Sequence, residues 1–240
     1  MLQATHYIPF VSTIVSFVFT YILFQHWLKR KSSLYLFWWM FGVLVYGLGT
    51  LAESINTIFG WNEINFKFWF IVGALMGGAP LAQGTVYLLL PRKLAHLLTF
   101  LLVSATVAAS YYVIISPINI EVVTNRLTGD ALAYKDFIRS NFSRNLNLYA
   151  VFFLIGGAIY SAIKYGSTKE GYSRMVGNIY IAFGAILPGF GGYMTRLGHV
   201  EVLYVTELIG ISLILIGYYT IKNDRGPSLH QAQVKAELNR

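Results

Sequence analysis

The sequence lacks cysteine and has few charged residues, and both absences narrow its chemistry. With no cysteine in 240 residues, it has no disulfides, thiol nucleophiles, or cysteine-ligated zinc or iron–sulfur sites. Charged residues make up 12% of the chain and hydrophobic residues 56%. Because a soluble domain needs a larger charged surface, this composition indicates an integral membrane protein.

Recognisable catalytic motifs are also missing. The chain contains no H-E-x-x-H, P-loop or G-x-S-x-G pattern, so we expect a non-enzymatic protein. Its formal charge is +8, but the cations stand in short groups between apolar segments and form no single stripe. We therefore expect no nucleic-acid partner.

Seven apolar stretches are each close to the roughly 20 residues that cross a bilayer. They cover residues 7–28, 33–59, 66–90, 94–115, 146–165, 175–195 and 200–221. Since lipid cannot satisfy backbone polar groups, stretches of this length should be helices. The sequence thus predicts an all-α bundle of seven transmembrane helices over residues 1–222, followed by a short cytosolic tail at 223–240.

Lysine and arginine are unevenly distributed between the two sets of predicted loops. Twelve of the 18 follow helices 1, 3, 5 and 7, and four of the other six lie in one long loop, residues 116–145. Short loops rich in these residues stay in the cytoplasm. We therefore expect the N-terminus outside and the C-terminus in the cytoplasm, most plausibly of a prokaryotic cell.

The long loop carries an amphipathic stretch. Within residues 130–142, Tyr134, Phe137 and Ile138 share one helical face. This pattern predicts a short helix lying on the outer membrane surface.

Glycine and proline interrupt two of the predicted helices. Pro80 follows Gly77 and Gly78 in helix 3, and Pro188 stands in a glycine-rich stretch of helix 6. A pair of broken helices can mark a transporter site. Kinks and close helix contacts are the alternative.

Four ionisable residues in or beside the apolar segments are candidates for a functional site. Glu53 and Glu207 fall in the outer half of helices 2 and 7, and Lys67 and Arg196 stand at neighbouring depth. A charge inside the membrane costs about 3 kcal/mol on insertion scales, so such residues are functional candidates.

Two interpretations of this cluster remain open. It could anchor the polar end of a ligand or titrate with protons, with Tyr46, Trp69 and Tyr204 lining the cavity. Alternatively, ion pairs and hydrogen bonds could simply fix the register of the helices.

Cofactor sites are poorly supported. Seven helices suggest retinal, but helix 7 has Ser212 and Leu213 near mid-depth and no buried lysine, so a covalent retinal Schiff base is excluded. His26 and His96 could in principle hold a haem, although interfacial polar roles fit them better. We predict no bound cofactor, while a noncovalent lipid or pigment remains compatible with the sequence.

Two stretches carry a family resemblance. Phe37-Trp38-Trp39-Met40-Phe41 with Tyr46, Gly47 and Glu53, and Phe68-Trp69-Phe70 with residues 84–92, resemble uncharacterised prokaryotic seven-helix membrane proteins. They are distantly similar to the seven-helix input modules of bacterial signalling proteins. The resemblance implies a seven-helix fold and a sensory role, and it assigns no functional residue.

These observations give one expectation with two alternatives. We expect a binding, sensory or accessory scaffold that accommodates an apolar or amphipathic ligand in its outer half. Its expected partners are membrane lipids and a membrane protein or complex. The alternatives are a small secondary transporter with Glu207 as its protonatable group, and a structural subunit of a larger membrane complex.

Overall fold

The computed structural model describes residues 4–124, 126–166 and 171–224. Over these residues the chain is helical, apart from its connections and one isolated bridge. Residues 225–240, which make up most of the predicted tail, lie outside the described part. Seven helices are long and apolar enough to cross a membrane, as the sequence predicted. They are α1 (Thr5–Leu28), α2 (Leu34–Phe59), α3 (Glu63–Leu89), α4 (Arg92–Ile115), α5 (Lys135–Gly166), α6 (Tyr172–Arg196) and α7 (Val200–Lys222).

Successive helices run in opposite directions, which gives the bundle two distinct ends. Thr13 of α1 meets Thr50 of α2, and Gly177 of α6 meets Gly217 of α7. We call the end where α1, α3, α5 and α7 begin the N-terminal end, and the opposite end the C-terminal end. Seven short-looped helices of this length satisfy their backbone hydrogen bonds internally, as lipid requires.

Helix α5 is longer than the sequence indicated. It begins at Lys135, so the predicted surface helix at 130–142 is largely its first turns, and the long loop ends before 135 instead of at 145. Ile138 is fully buried, and Phe137 packs against Tyr112 of α4 with ring centroids 4.7 Å apart. These apolar contacts extend the helix beyond the membrane segment despite its polar residues.

The connection between α4 and α5, residues 116–134, is held together by backbone hydrogen bonds within it. Ile118 and Leu132 form an antiparallel bridge, in which the Asn119 amide donates to the Ala131 carbonyl at 2.9 Å. Leu127 and Leu132 are buried beneath the connection. The loop therefore covers part of the N-terminal end as a folded cap.

Helices α6 and α7 pack closely along their whole length because glycines recur every seven residues at their interface. Gly177, Gly184 and Gly191 of α6 face α7, where Gly210 and Gly217 lie opposite. A Cβ at Gly184 would come within 2.6 Å of the Gly210 carbonyl oxygen, and one at Gly217 within 2.5 Å of the Gly177 carbonyl oxygen. Only glycine permits this approach of the two backbones.

The two prolines behave differently. Helix α3 changes to π-helical geometry at Phe70–Leu75, is non-helical at 76–78 and resumes at Ala79 with Pro80 in its first turn. By contrast, α6 runs without interruption through Pro188, which corrects the expected helix break there. The Pro188 ring and the Gly184 carbonyl oxygen both pack at Gly210, so the carbonyl that proline leaves without an N–H partner is covered by α7.

Alanine at Gly184 or Gly217 should destabilise the bundle, because the new methyl group would meet a neighbouring backbone that cannot shift without separating α6 from α7. We expect a loss of about 1–3 kcal/mol, measured as a lower thermal unfolding midpoint in detergent. Gly189→Ala and Gly192→Ala are matched controls on α6, where a Cβ would meet nothing within 4 Å. Equal destabilisation by the control pair would contradict the packing argument.

Candidate functional site

Five of the predicted site residues lie together near the N-terminal end of the bundle, and we call them the carboxylate cluster: Glu53, Glu207, Tyr46, Trp69 and Tyr204. They come from α2, α3 and α7. Glu53, Trp69 and Glu207 each lie about 9–11 Å along the helix axis from that end, given a rise of 1.5 Å per residue. The antiparallel order of the helices places them at a common depth.

A glycine contact brings Glu53 to Trp69. A Cβ built on Gly49 of α2 would lie 3.3 Å from the Cα of Gly73 in α3, so the two backbones approach closely. Glu53 stands one turn after Gly49, and Trp69 one turn before Gly73. As the helices are antiparallel, these two side chains meet, and Trp69 Nε1 donates a hydrogen bond to Glu53 Oε1 at 3.0 Å.

Glu53 is among the most deeply enclosed residues of the chain. Its side chain is only 2% exposed, and the second carboxyl oxygen, Oε2, is buried without a hydrogen-bond donor among the described residues. A buried carboxylate oxygen that accepts no hydrogen bond is costly. Glu53 is therefore incompletely satisfied as an ion.

The carboxyl group of Glu207 faces that of Glu53 within hydrogen-bonding range. Glu207 is partly exposed as a residue, but its Oε2 is buried and also has no donor in the described part of the chain. A carboxylate only accepts hydrogen bonds, so a bond between the two groups forms only when one of them is protonated. Two carboxyl groups in such close contact can share one proton.

Two tyrosines enclose the pair. The Tyr46 hydroxyl donates to the backbone carbonyl oxygen of Glu207 at 2.9 Å, which ties α2 to α7 beside the carboxyl groups. Tyr204 is buried and lies near both glutamates, and its ring contacts that of His6. Tyr46 thus holds the backbone of Glu207 in place and leaves the carboxyl group to Glu53.

The two cations expected in this cluster lie elsewhere. Lys67 forms an ion pair with Glu63 at 2.7 Å and donates to the Ile114 carbonyl oxygen at 2.9 Å. Arg196 is exposed at the end of α6, and Arg139 and Asp130 are the charged side chains that act on it. Among the described residues, the ion pairs involve neither Glu53 nor Glu207. The expected four-charge cluster is therefore a carboxyl pair without cations.

A second polar network lies nearer the C-terminal end. Gln83 is fully buried; its Nε2 donates to the Ala95 carbonyl oxygen at 3.1 Å and to Thr99 Oγ1 at 2.8 Å, while Tyr149 donates to its Oε1. Tyr87 bonds to both Thr99 and His96. The sequence gives no sign that Tyr149 belongs to this network, because the pairing of α3 with α5 is not visible in it. With both ends of its amide bonded, Gln83 joins α3, α4 and α5.

The two histidines considered for haem are engaged by tyrosines. His26 Nδ1 lies 2.7 Å from the Tyr218 hydroxyl, and His96 Nδ1 lies 2.8 Å from that of Tyr87. These contacts join α1 to α7 and α3 to α4. Each histidine thus serves a separate pair of helices.

Two apolar grooves open elsewhere on the bundle, and neither is lined by the carboxylate cluster. The first groove, about 320 Å³, is lined by Phe37, Trp38, Phe41, Met76, Ala79, Pro80, Leu102, Val103, Thr106 and Val107. The second groove, about 410 Å³, is lined by Ile159, Ala162, Ile163, Gly166, Met175, Ile179, Ala182, Phe183 and Ile186. Glu53, Tyr46, Trp69 and Tyr204 of the carboxylate cluster are themselves buried among other side chains.

Trp69→Phe should destabilise the protein, because it removes the donor to Glu53 Oε1 and leaves a buried carboxyl with one partner fewer. Hydrogen bonds to charged groups contribute about 1.5–3 kcal/mol, and we expect a loss of that order in thermal unfolding. Adding Glu53→Gln should recover part of it, because an uncharged amide is less costly to bury.

Trp61→Phe is the matched control for that substitution. Trp61 packs against Phe66 in the same aromatic group, with ring centroids 5.7 Å apart and the ring planes tilted by 35°, so its replacement tests loss of indole packing. If Trp61→Phe costs as much as Trp69→Phe, or if Glu53→Gln gives no recovery, the hydrogen bond to Glu53 has no special role.

Comparison with known proteins identifies no relative of this chain. No family model matches the chain, and neither the curated proteins nor the solved structures give a match.

Proposed function

We propose that this is a non-enzymatic sensory or accessory membrane protein whose responsive element is the Glu53–Glu207 pair and whose ligand there is a proton. The observation that carries the proposal is the contact of two carboxyl groups, from α2 and α7, at a buried site where the described ion pairs supply no cation. Intramembrane ionisable residues mark functional sites by default.

Energetics favour a shared proton over two charges. One charge inside the membrane costs about 3 kcal/mol on insertion scales, and a second like charge in contact adds repulsion that low dielectric surroundings strengthen. A single proton turns this repulsion into an O–H···O hydrogen bond. Neutral side chains could bridge α2 and α7 at lower cost, so a purely structural role accounts poorly for the pair.

The neighbouring groups favour one position for this proton. Glu53 already accepts the Trp69 N–H, and an ionised carboxylate accepts such a bond best. Glu207 has no comparable side-chain donor among the described hydrogen bonds. We therefore assign the shared proton to Glu207, which donates it to Glu53.

Loss of that proton would act directly on two helices. The pair and the Tyr46–Glu207 hydrogen bond join α2 to α7. When both carboxyls are charged they repel each other, and α2 and α7 should separate at the N-terminal end. Protonation state is thereby linked to helix arrangement, which is what a sensor requires.

The direction of sensing follows from the charge distribution. Twelve of the 18 lysines and arginines stand in the predicted loops and tail of the C-terminal end, which supports a cytoplasmic C-terminus in a prokaryotic cytoplasmic membrane. The pair then lies in the outer half of the bundle and responds to external pH. A partner protein at the cytoplasmic end would carry the signal further, in line with the resemblance to sensor input modules.

The amphipathic ligand expected from the sequence is less well supported at this site. Lys67 and Arg196, which would have oriented its polar end, are not in the cluster, and neither apolar groove reaches the cluster. A proton needs neither cations nor space.

Distance measurements between spin labels test the proposal. The native chain has no cysteine, so cysteines introduced at the exposed positions Ile58 of α2 and Val205 of α7 report on these helices alone. We expect the distance to increase as the pH is raised. Glu207→Gln, which cannot lose a proton, should hold the low-pH distance at every pH.

Glu63→Gln is the matched control, because Glu63 lies on the same end of the bundle but forms an exposed ion pair with Lys67. It should leave the pH response unchanged. A distance that is constant with pH in the native background, or a response that persists in Glu207→Gln, would overturn the proposal.

A small secondary transporter is the second candidate, and the interruption of α3 favours it. Residues 76–78 leave the helix within the membrane-spanning region, and such broken helices line transport sites in other membrane proteins. In this case Glu207 would couple the movement of protons to that of a substrate.

Proton flux distinguishes the two candidates. In liposomes with a pH gradient, a transporter should move protons in a substrate-dependent manner, and Glu207→Gln should abolish that flux while Glu63→Gln does not. A sensor should show no flux above that of empty liposomes, although its labelled helices still respond to pH.

A further inference from the structure

The first groove lies between two helices whose starts are rich in cations. Lys29, Arg30 and Lys31 precede α2, and Arg92 and Lys93 begin α4. All five stand at the C-terminal end, and in the described part of the chain none of them forms an ion pair. This rim therefore keeps its positive charge.

The groove begins near this rim on α2 and lies deeper on α4, where its first lining residue, Leu102, is about 15 Å from Arg92 at 1.5 Å per residue. Phe37 stands about 5 Å along α2 from its start, and Val107 about 22 Å along α4, at 1.5 Å per residue. The lining therefore runs from near the C-terminal end to beyond the middle of the bundle. This length suits a hydrocarbon chain that enters at the rim and continues into the core of the membrane.

The lining is apolar apart from the indole N–H of Trp38 and the hydroxyl group of Thr106. Its single hydroxyl, on Thr106, already donates to the Leu102 carbonyl oxygen at 2.8 Å. Phe37, Trp38 and Phe41 form one wall, with Trp38 edge-on to Phe41 at 5.8 Å. Apolar cavities of this kind exclude water, and the volume of about 320 Å³ lies within the range of small-molecule sites.

The interruption of α3 makes room for this groove. Met76, Ala79 and Pro80 form its floor where the helix stops and resumes. Helix α4 packs on α3 and, through Tyr112, on the start of α5, and its residues Leu102, Val103, Thr106 and Val107 line the groove opposite Phe37 and Phe41 of α2. The groove is thus formed by the packing of α2, α3 and α4 around the interruption in α3.

We propose that the first groove binds an anionic phospholipid, with one acyl chain against the apolar lining and the phosphate among the five cations of the rim. The site is separate from the carboxylate pair, and the proposal does not depend on proton sensing. Charge complementarity selects the head group, and the uncharged lining selects the hydrocarbon chain.

The second groove lacks the same combination. It is larger and equally apolar, but Arg174 beside it is bonded to Asp224 at 3.0 Å and stacks over Tyr165. Lys164 is then the remaining described cation next to this groove. A specific anionic head group is better accommodated at the first groove.

Native mass spectrometry of the full chain tests the proposal. The protein is reconstituted with equal amounts of phosphatidylglycerol and phosphatidylcholine that carry the same chains, then released under mild conditions. We expect one phosphatidylglycerol to be retained in preference to phosphatidylcholine. The double variant Arg92→Gln, Lys93→Gln should reduce that preference roughly thirtyfold, since two cations that each contribute about one kcal/mol near an anionic head group together contribute about 2 kcal/mol.

A second variant tests whether the acyl chain of the lipid occupies the groove. Val103→Phe adds a ring from the partly exposed side of α4 into the groove, and it should displace the retained lipid. Leu101→Phe is its matched control, because Leu101 is exposed on the same helix and does not line the groove. Lys164→Gln is the matched control for charge at the same end of the bundle.

The outcomes are decisive in both directions. Selective loss in the two test variants but not in the controls supports the site. Equal retention of the two lipids, unchanged preference in the double variant, equal loss in the controls, or retention of an uncharged molecule would overturn it. The double variant changes two exposed residues outside the core, so it decides the matter even if Val103→Phe fails to fold.

Discussion

The structure depends on the inability of lipid to form hydrogen bonds. Every polar group inside the membrane must find a partner within the protein, and most do. Thr13 bonds to Thr50, Gln83 uses both ends of its amide, and His26 meets Tyr218. Among the buried side-chain atoms of the described residues that have no hydrogen-bond partner, the oxygens of Glu53 and Glu207 are the ones that belong to carboxyl groups, and a proton is the simplest partner that completes them.

Close backbone contact and the carboxyl pair are linked. Glycines allow α2 to approach α3 and α6 to approach α7, since any Cβ at those positions would meet backbone atoms or the neighbouring helix. The approach of α2 to α3 is what carries the Trp69 indole to Glu53. The same small residues that stabilise the bundle therefore fix the geometry of its least satisfied site, so packing and site chemistry cannot be varied independently.

The sequence predicts the architecture well, because apolar length and cation spacing report directly on membrane helices. The seven helices lie close to the expected ranges. The sequence does not show which helix faces meet. The sequence correctly placed Glu53 and Glu207 at similar depth, but it grouped Lys67 and Arg196 with them. The depth of a residue along its helix does not determine which side of the helix its side chain is on. The sequence also missed the early start of α5, where buried contacts of Ile138 outweigh a polar composition, and it expected a break at Pro188, where packing on α7 keeps the helix intact.

The interruption of α3 connects the features that remain. Trp69 immediately precedes the π-helical turn, and Met76 and Pro80 beyond it line the first groove. Single π-helical turns within α-helices are frequent at functional sites. If the pair loses its shared proton, Glu53 loses the hydrogen bond from Glu207, and its charge then acts more strongly on the Trp69 N–H. The interruption of α3 follows Trp69 along the chain and lies between the carboxyl pair and the first groove, so a shift of Trp69 would be passed to the segment that lines the groove.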